Sequence, residues 1–304
     1  MIPGQKIGFL GVGAMGGGIA RRLQLAGAQL HVFDPSAAAV ERMVQGGAIA
    51  EASPRAVADQ ADIVFACLPS GSICHEAALG AEGAVHGSKL RLYVDCSTIG
   101  RRAMIAISEG LAARGVTLVD SPISGGPRAA DKGLLSVMAA GPKAAVEELL
   151  PLLQAIGPNV FNVGLEPGMA QMMKLCNNLV SASNMTSAFE AAVLGTKAGL
   201  DPQMIVDVFN VSTARNTATE TKLPQAILTG TFDFGARVDI MFKDVTLGLA
   251  EAEALGVPMW VGQNTGQIFR HAMTQGQGAQ DYTTLIKIME EWAGVQVRAR
   301  PAAK

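Results

Sequence analysis

Residues 11–16 read Gly11-Val12-Gly13-Ala14-Met15-Gly16 and lie between an apolar run, Lys6–Leu10, and an amphipathic stretch, Met15–Ala26. The run predicts a strand and the stretch predicts a helix. In such a loop the first glycine permits a tight turn, the second lets a pyrophosphate approach the backbone, and the third lets the helix pack on the strand. A phosphate bound there faces the positive end of the helix dipole. The sequence therefore predicts a dinucleotide cradle at Gly11, Gly13, Ala14, Met15 and Gly16.

An acidic residue follows the next predicted strand, Gln29–Phe33. Asp34 lies about 20 residues after the cradle, which is the spacing at which a carboxylate meets the adenosine ribose. That carboxylate can accept hydrogen bonds from both ribose hydroxyls and would repel a 2′-phosphate, which favours NAD over NADP. Asp34 can also serve as a turn residue before the helix predicted at Ser36–Gln45, and the two roles are compatible.

The first half of the chain continues to alternate short apolar runs with helical patterns. Continuous apolar strands separated by helices are typical of a parallel sheet that is covered on both faces. The further predicted strands are Ile63–Leu68, Leu92–Asp95, Thr117–Asp120 and Leu134–Ala140. The further predicted helices are Ser72–Leu79, Arg101–Arg114 and Ala144–Ala155.

The hydrophobic period changes after residue 164. Gly168–Gly199 contains no proline and predicts one helix of about 30 residues, long against the ~11 to 12 of an average helix. The later segments are also helical in pattern: Pro202–Val211, Leu223–Thr229, Phe242–Leu255, Val261–Gln275 and Thr283–Ala293. We predict an α/β dinucleotide-binding domain over residues 1–164 and an all-α domain over residues 165–304, joined by the long helix.

Polar residues follow two of the predicted parallel strands, at the edge where ligands of such sheets bind. Leu68-Pro69-Ser70 follows one strand and Cys96-Ser97-Thr98 follows the next. We interpret Leu68, Pro69, Ser70, Ser97 and Thr98 as contacts to the nicotinamide half of the cofactor. The alternative is that the hydroxyls only cap the helices that follow.

Transfer of a hydride to or from carbon requires a group that gains or loses the proton of the paired oxygen. None of the four histidines has an Asp or Glu nearby in sequence at a spacing that would orient it. Lys174 is a second choice, since it is flanked by Met172, Met173 and Leu175 and shares a helix face with Asn178. Partial burial would move its pKa towards a useful range. The alternative is a lysine that extends from an amphipathic helix into solvent.

Two further stretches carry polar groups. The loop Asp120–Pro127 contains Ser124, Gly125 and Gly126, whose hydroxyl and successive backbone N–H groups suit a carboxylate. A tight loop that needs glycine dihedral angles is the alternative. Lys243-Asp244 begins a later predicted helix, where an ordinary solvated face is the alternative reading.

Composition excludes several classes of protein. The 304 residues carry 24 Lys+Arg and 26 Asp+Glu, a formal charge of -2, which is not the charge of a nucleic-acid or anionic-membrane binder. No run of apolar residues approaches the ~18 to 20 needed to span a bilayer. The four cysteines show no CxxC pair and no metal-ligand spacing, so we expect reduced thiols in the cytoplasm and no metal. We interpret Cys176 as a buried, inert thiol.

Together these motifs resemble those of the β-hydroxyacid dehydrogenase family, which includes 3-hydroxyisobutyrate dehydrogenases and tartronate semialdehyde reductases. The resemblance covers about residues 5–294 and rests on four motifs in the family's order. They are the glycine loop at residues 8–16, the Asp120–Gly126 loop, the Gly168–Asn178 stretch, and Lys243-Asp244 with Leu249-Ala250. Ser121, Ile123 and residues 213–216 depart from the usual family pattern, which leaves the substrate less defined than the reaction.

The resemblance implies a Rossmann domain followed by a helical substrate and oligomerisation domain, and a homodimer or homotetramer assembled through the latter. It implies that Lys174 is the general acid/base, Asn178 its partner, and Ser124–Gly126 the site of the substrate carboxylate, while Lys243 reaches the cofactor or substrate. The expected reaction is reversible NAD(P)-dependent oxidation of a short β-hydroxyacid, such as 3-hydroxyisobutyrate, to its semialdehyde. The alternatives are an NADPH-dependent reductase of tartronate semialdehyde, glyoxylate or succinic semialdehyde, and a non-catalytic dinucleotide-binding scaffold.

Overall fold

The computed structural model describes residues 4–299. The chain divides into two compact units, Met1–Lys174 and Leu175–Lys304, whose border lies inside one long helix. The domain boundary near Gly164 stays a prediction, because compactness alone does not assign functional domains. Within the described residues no helix has both the length and the apolar character needed to cross a membrane.

Among the described residues, the first unit is built on one sheet of nine strands. In chain order the strands are β1 (Lys6–Leu10), β2 (Gln29–Phe33), β3 (Ile49–Ala50), β4 (Ile63–Ala66), β5 (Leu92–Asp95), β6 (Thr117–Asp120), β7 (Ile123–Ser124), β8 (Ser136–Ala140) and β9 (Asn159–Gly164). Their spatial order is β3-β2-β1-β4-β5-β6-β8-β7, with β9 paired to β8. The first six are mutually parallel, and β8 runs antiparallel to β6 and β7. The chain reverses direction in the sheet at β1, where β2 lies on one side and β4 on the other. Ligands of open parallel sheets bind at such a point.

Helices cover both faces of this sheet. The helices are α1 (Ala14–Leu25), α2 (Ala37–Gln45), α3 (Pro54–Gln60), α4 (Gly71–Leu79), α5 (Arg101–Ala112), α6 (Gly126–Lys132) and α7 (Lys143–Ile156), with a 3₁₀ turn at Ala84–His86. One apolar core lies under α1, α2 and α7, and the other lies under α3, α4 and α5. Alternate residues of β4 enter the two cores, Phe65 the first and Val64 the second. Both faces of the sheet are therefore buried, which is why the sequences of the strands are continuous apolar runs.

The second unit is helical. It contains most of α8 (Met169–Lys197), then α9 (Pro202–Val211), α10 (Val238–Ala254), α11 (Trp260–Thr274) and α12 (Leu285–Ala293). A π-helical segment occupies Ala218–Ile227, and a 3₁₀ turn occupies Tyr282–Thr284. Its core is formed by aliphatic, alanine and aromatic side chains, with Phe189 and Phe269 fully buried.

The fold predicted from the sequence is confirmed in its class, an α/β Rossmann-type unit followed by a helical unit. The sequence patterns did not predict β3, α3, β7, α6 or β9. β3 and β7 have two residues each, too few to show a period. α6 begins with Gly126 and Pro127, residues that usually indicate a turn.

Candidate active site

The glycine loop has the geometry that a pyrophosphate site requires. Gly11 has φ of +83°, and a Cβ there would lie 2.5 Å from the Cys67 carbonyl oxygen. A Cβ at Gly16 would lie 1.9 Å from the Gly11 carbonyl oxygen, so α1 can pack this closely only with glycine. A Cβ at Gly13 would meet no atom within 4 Å, so open space lies where α1 begins. The N–H groups of its first turn face that space, and the loop fits the phosphates of a dinucleotide.

Asp34 joins the glycine loop to the segment after β2. Its Oδ2 accepts a hydrogen bond from the Val12 backbone N–H at 2.8 Å, and its Oδ1 accepts one from the Ser36 N–H at 2.8 Å. Asp34 thus has the turn role that the sequence allowed. Each carboxylate oxygen can accept a second hydrogen bond, so these contacts also fit binding of a ribose.

The residues assigned to the nicotinamide half lie at the carboxyl ends of β4 and β5. The Ser70 hydroxyl accepts a hydrogen bond from the backbone of the first turn of α4 at 3.3 Å. The Ser97 hydroxyl accepts one from the Leu68 N–H at 2.8 Å, which connects the two loops. The capping alternative therefore describes what Ser70 does here. Contact of either loop with a nicotinamide stays a prediction.

The loop after β6 is held in a conformation that needs two glycines. Gly125 has φ of +138° and Gly126 has φ of +76°, and a Cβ at Gly125 would lie 2.8 Å from the Ala129 Cβ. Ser124 ends β7 and is half-buried beside them. The tight-loop reading is therefore correct, and it leaves successive backbone N–H groups next to a hydroxyl.

Two carboxyl groups lie side by side in the sheet directly behind this loop. Asp95 and Asp120 are register partners at the ends of β5 and β6, and both side chains are fully buried. Burial raises the pKa of the Asp95 carboxyl. Burial also raises the pKa of Asp120 to about 7, with the Asp95 charge adding to the effect and hydrogen bonds from Gln171 and Gly168 opposing it.

Gln171 attaches the first turn of α8 to this edge of the sheet. Its Oε1 accepts hydrogen bonds from the Ile99 and Gly100 N–H groups at 2.9 and 3.1 Å. Its Nε2 donates to the Ser97 carbonyl oxygen at 3.0 Å and to Asp120 Oδ1 at 2.7 Å. The backbone N–H of Gln171 also donates to Asp120 Oδ2, at 2.9 Å. One buried amide therefore joins the loop after β5, the end of β6 and the start of α8.

Lys174 follows Gln171 by three residues in α8, so the two side chains share a face of the helix. The Lys174 side chain is buried, with 8% exposed. The alternative of a lysine that extends into solvent does not describe this side chain. Lys174 therefore lies one helical turn beyond the residue that attaches α8 to the carboxyl edge of the sheet.

The second unit holds a separate polar cluster. Asn178 is buried, and its Nδ2 donates to Asp244 Oδ2 at 2.7 Å. Lys243 forms an ion pair with the other oxygen of Asp244, at 3.0 Å. Asp244 is only 5% exposed, so it does not lie on an ordinary solvated helix face. A single carboxylate therefore fixes both Asn178 and Lys243.

Comparison with known proteins places the chain in a family. Residues 6–164 match the model of the NAD binding domain of 6-phosphogluconate dehydrogenase, and residues 168–289 match that of the NAD-binding domain of NADP-dependent 3-hydroxyisobutyrate dehydrogenase. The chain is 34% identical to 2-(hydroxymethyl)glutarate dehydrogenase of Eubacterium barkeri, over 96% of this chain and 97% of that protein. It is 33% identical to 3-hydroxyisobutyrate dehydrogenase of Pseudomonas aeruginosa, over 93% and 97%. The chain belongs to the β-hydroxyacid dehydrogenase family.

A solved structure of another family member supports this. The 3-hydroxyisobutyrate dehydrogenase of Mycobacterium tuberculosis, described with L-serine, has a TM-score of 0.86 and 26% identity, over 94% of this chain and 99% of that one. The family models also establish that the chain has an NAD(P)-binding domain. Among residues 4–299 no group of three His, Cys, Asp or Glu side chains could hold a metal ion.

The sequence did not show two features of this candidate β-hydroxyacid dehydrogenase site. It assigned no role to Gln171 and did not connect Asp244 with Asn178. A signal existed for the first, because Gln171, Lys174 and Asn178 follow an i, i+3, i+7 pattern that forms one polar stripe on a mostly apolar helix. The interpretation of Cys176 was wrong, since this thiol is exposed. His31, which lacked an acidic neighbour in sequence, is buried and lies 2.7 Å from Glu51.

Proposed function

We propose that this chain catalyses reversible, NAD-dependent oxidation of a short β-hydroxyacid to its semialdehyde, with Lys174 as general acid/base. The observation that carries the proposal is the burial of Lys174 one helical turn after Gln171. Gln171 fixes that turn of α8 against the loop after β5 and the end of β6. In that position an amine can serve both the predicted cofactor loop and the predicted substrate loop.

The substrate carboxylate would bind at Ser124–Gly126. The two positive-φ glycines place successive backbone N–H groups at the N-terminus of α6, and a carboxylate is the ligand that such a backbone arrangement accepts. The Ser124 hydroxyl adds a donor. Binding the carboxylate in this way would position the β-hydroxyl, which must meet Lys174.

Proton transfer is the task of Lys174. As a free amine it accepts the proton of the substrate hydroxyl in oxidation, and as an ammonium it returns that proton in reduction. The nicotinamide, when bound, accepts or supplies the hydride. Asn178 lies one turn further along α8, where its amide, fixed by Asp244, would hold the substrate hydroxyl or the amine.

NAD is the proposed cofactor because of Asp34. Its carboxylate is held within hydrogen-bond distance of the glycine loop, where the ribose of a bound dinucleotide would lie. A 2′-phosphate placed beside that negative charge would be repelled. Ser70, Thr98 and Lys243 are the proposed further contacts to the cofactor.

A homodimer or homotetramer in the cytoplasm completes the proposal. The helical unit exposes large apolar side chains that a second copy would cover. They are Leu194, Val211, Trp260, Val261 and Trp292. All four cysteines are free thiols, which fits a reducing compartment.

The test is oxidation by wild type and by a Lys174→Ala variant. Both would be assayed with NAD and with NADP on 3-hydroxyisobutyrate, 2-(hydroxymethyl)glutarate, L-serine and L-threonate. We expect kcat of the variant to fall by about 10²-fold or more, since general acid/base catalysis contributes about that much. NADH affinity, measured by fluorescence titration, should stay within about twofold, because the lysine acts in the chemical step.

The control is Lys197→Ala, which removes an exposed lysine from the other end of the same helix. It should keep wild-type kcat. Turnover retained by the Lys174 variant would refute the role of Lys174. A wild type that binds NADH but oxidises none of the four acids would favour the scaffold alternative.

A further inference from the structure

Asp120 is a buried carboxyl group that accepts three hydrogen bonds from the beginning of α8. Its Oδ2 accepts from the backbone N–H groups of Gly168 and Gln171, both at 2.9 Å, and its Oδ1 accepts from Gln171 Nε2 at 2.7 Å. The N–H groups at the start of a helix have no acceptor within that helix. Asp120 therefore caps the N-terminus of α8 from another element, β6.

These three contacts together require the ionised form of Asp120. A carboxylate only accepts hydrogen bonds, whereas a protonated carboxyl group carries one O–H donor. A proton on Oδ1 would face the Gln171 Nε2 donor, and a proton on Oδ2 would face two backbone N–H groups. Protonation therefore breaks at least one of the three bonds. It also removes a negative charge from the positive end of the helix dipole.

Asp95, the register partner of Asp120 on β5, has fewer donors. Its Oδ1 accepts a hydrogen bond from the Ser97 N–H at 2.8 Å, and its Oδ2 is buried without a hydrogen-bond partner among the described residues. Two neighbouring buried carboxyl groups do not readily ionise together, because each charge raises the pKa of the other group. The proton therefore belongs on Asp95, and the charge belongs on Asp120.

The ionisation of Asp120 depends on the groups that surround it. The titratable groups on the neighbouring elements are Asp95 and Cys96 on β5, Arg101 at the start of α5 beside Gly168, and Lys174 in the next turn of α8. Ala140, which faces Asp120 on β8, is uncharged. Burial raises the pKa of Asp120 to about 7. The carboxyl group therefore changes its charge within the pH range of ordinary enzyme assays.

We propose that Asp120 is a positioning residue for Lys174 and that it acts only as a carboxylate. In that form it fixes Gly168 and Gln171, and with them the turn of α8 that precedes Lys174. When it takes up a proton, the Gln171 amide loses its bond to β6 and this turn is held less firmly. The inference rests on the proposed function, because it takes Lys174 as the group that transfers the proton.

The experiment measures kcat against pH in the direction of reduction, with NADH and the semialdehyde of an acid that wild type oxidises. In oxidation Lys174 must be a free amine, so Lys174 and Asp120 would both lower the rate at acid pH. In reduction Lys174 must be an ammonium, so its own titration lowers the rate only at alkaline pH. A loss of rate at acid pH in reduction therefore reports a different group.

The proteins compared are wild type, Asp120→Asn and the control Asp201→Asn. Asp201 also caps a helix, because it accepts hydrogen bonds from the backbone N–H groups of Gln203 and Met204, but it is partly exposed. Far-UV circular dichroism and urea unfolding would verify that each variant is folded. Fluorescence titration with NADH would measure cofactor affinity.

We expect kcat of wild type and of Asp201→Asn to fall by about 10-fold or more between about pH 8 and about pH 5.5, with a midpoint near pH 7. An asparagine has the donor and the neutral charge of a protonated Asp120. Asp120→Asn should therefore have at pH 8 the low kcat that wild type has at acid pH, and should lose no further rate as the pH falls. Its NADH affinity should stay within about twofold of wild type.

Two results would overturn the inference. One is a wild-type kcat in reduction that stays constant from about pH 5.5 to about pH 8, which needs no variant to be folded. The other is the same loss of rate at acid pH in Asp120→Asn, which would assign that loss to another group and leave Asp120 a structural role. With either result, loss of turnover in Lys174→Ala would leave the proposed function standing. Oxidation of none of the four acids by wild type would overturn both.

Discussion

At the scale of single residues, Asp34 has two partners that exist without any cofactor. Its carboxylate joins the Val12 and Ser36 backbones, so it shapes the glycine loop as well as carrying charge. A test of its role in cofactor choice must therefore separate charge from loop structure. An amide at this position keeps one acceptor oxygen and loses the charge.

Asp34→Asn should lower kcat/KM with NAD and raise it with NADP, because the repulsion of a 2′-phosphate disappears. We expect the NAD to NADP ratio of kcat/KM to fall by about 10-fold or more. The control is Ser36→Ala, which removes the hydroxyl that caps α2 and leaves the charge at Asp34. Equal NAD to NADP ratios of kcat/KM in wild type and Asp34→Asn would refute this role of Asp34.

Residue types and spacing predicted much of the candidate site. They did not predict which hydrogen-bond partners the polar side chains of the site would have. Glycine spacing predicted the cradle, and the positive φ values at Gly125 and Gly126 follow from the tight loop that the sequence indicated. The hydrogen bonds of Gln171 and Asn178 reach Asp120 and Asp244, which are distant in sequence. Nothing local encodes such pairs, because they form only when the sheet and the helices pack.

At the scale of elements, the apolar strands were the most predictable. β1, β2, β5 and β6 begin and end at the predicted residues, because strands buried on both faces are short, continuous apolar runs. The π-helical segment was not predicted. Its sequence was read as a helix at Leu223–Thr229, and no composition rule distinguishes a π turn from an α turn.

The attachment of α8 to the sheet is the element-level feature on which the proposed role of Lys174 depends most. Gln171→Met removes the four side-chain hydrogen bonds of this amide and leaves buried backbone groups without partners. We expect unfolding stability to fall by about 2 to 5 kcal/mol. A shift of about 1 Å in a catalytic group can cost about 10²-fold in rate. We therefore expect kcat to fall by about 10-fold or more, measured at a temperature well below that at which the variant unfolds.

The matched control for that variant is Gln203→Met. Gln203 also bonds a carboxylate from the first turn of a helix, with Asp207 at 2.9 Å, but on the exposed surface. It should change neither kcat nor stability. If the Gln171 variant lost stability and kept wild-type kcat at a temperature where it is fully folded, the amide would be structural only.

At the scale of the whole molecule, stability should depend on pH through Lys222. Lys222 is buried in the π-helical segment Ala218–Ile227, and this burial lowers its pKa to about 8, against 10.5 for an ordinary lysine. Between these values the unfolded chain therefore binds more protons. The contribution of this group to the free energy of unfolding therefore rises with pH across that window. Below pH 8 the protein bears the whole cost of burying the charge.

Lys222→Met removes this cost. Without substrate, its free energy of unfolding relative to wild type should be about 2 kcal/mol higher at pH 7 than at pH 10. Urea unfolding of both proteins at the two pH values measures this, and the exposed Lys287→Met should show no such change. A pH-independent difference between Lys222→Met and wild type would mean that Lys222 is not a desolvated ammonium in the folded protein.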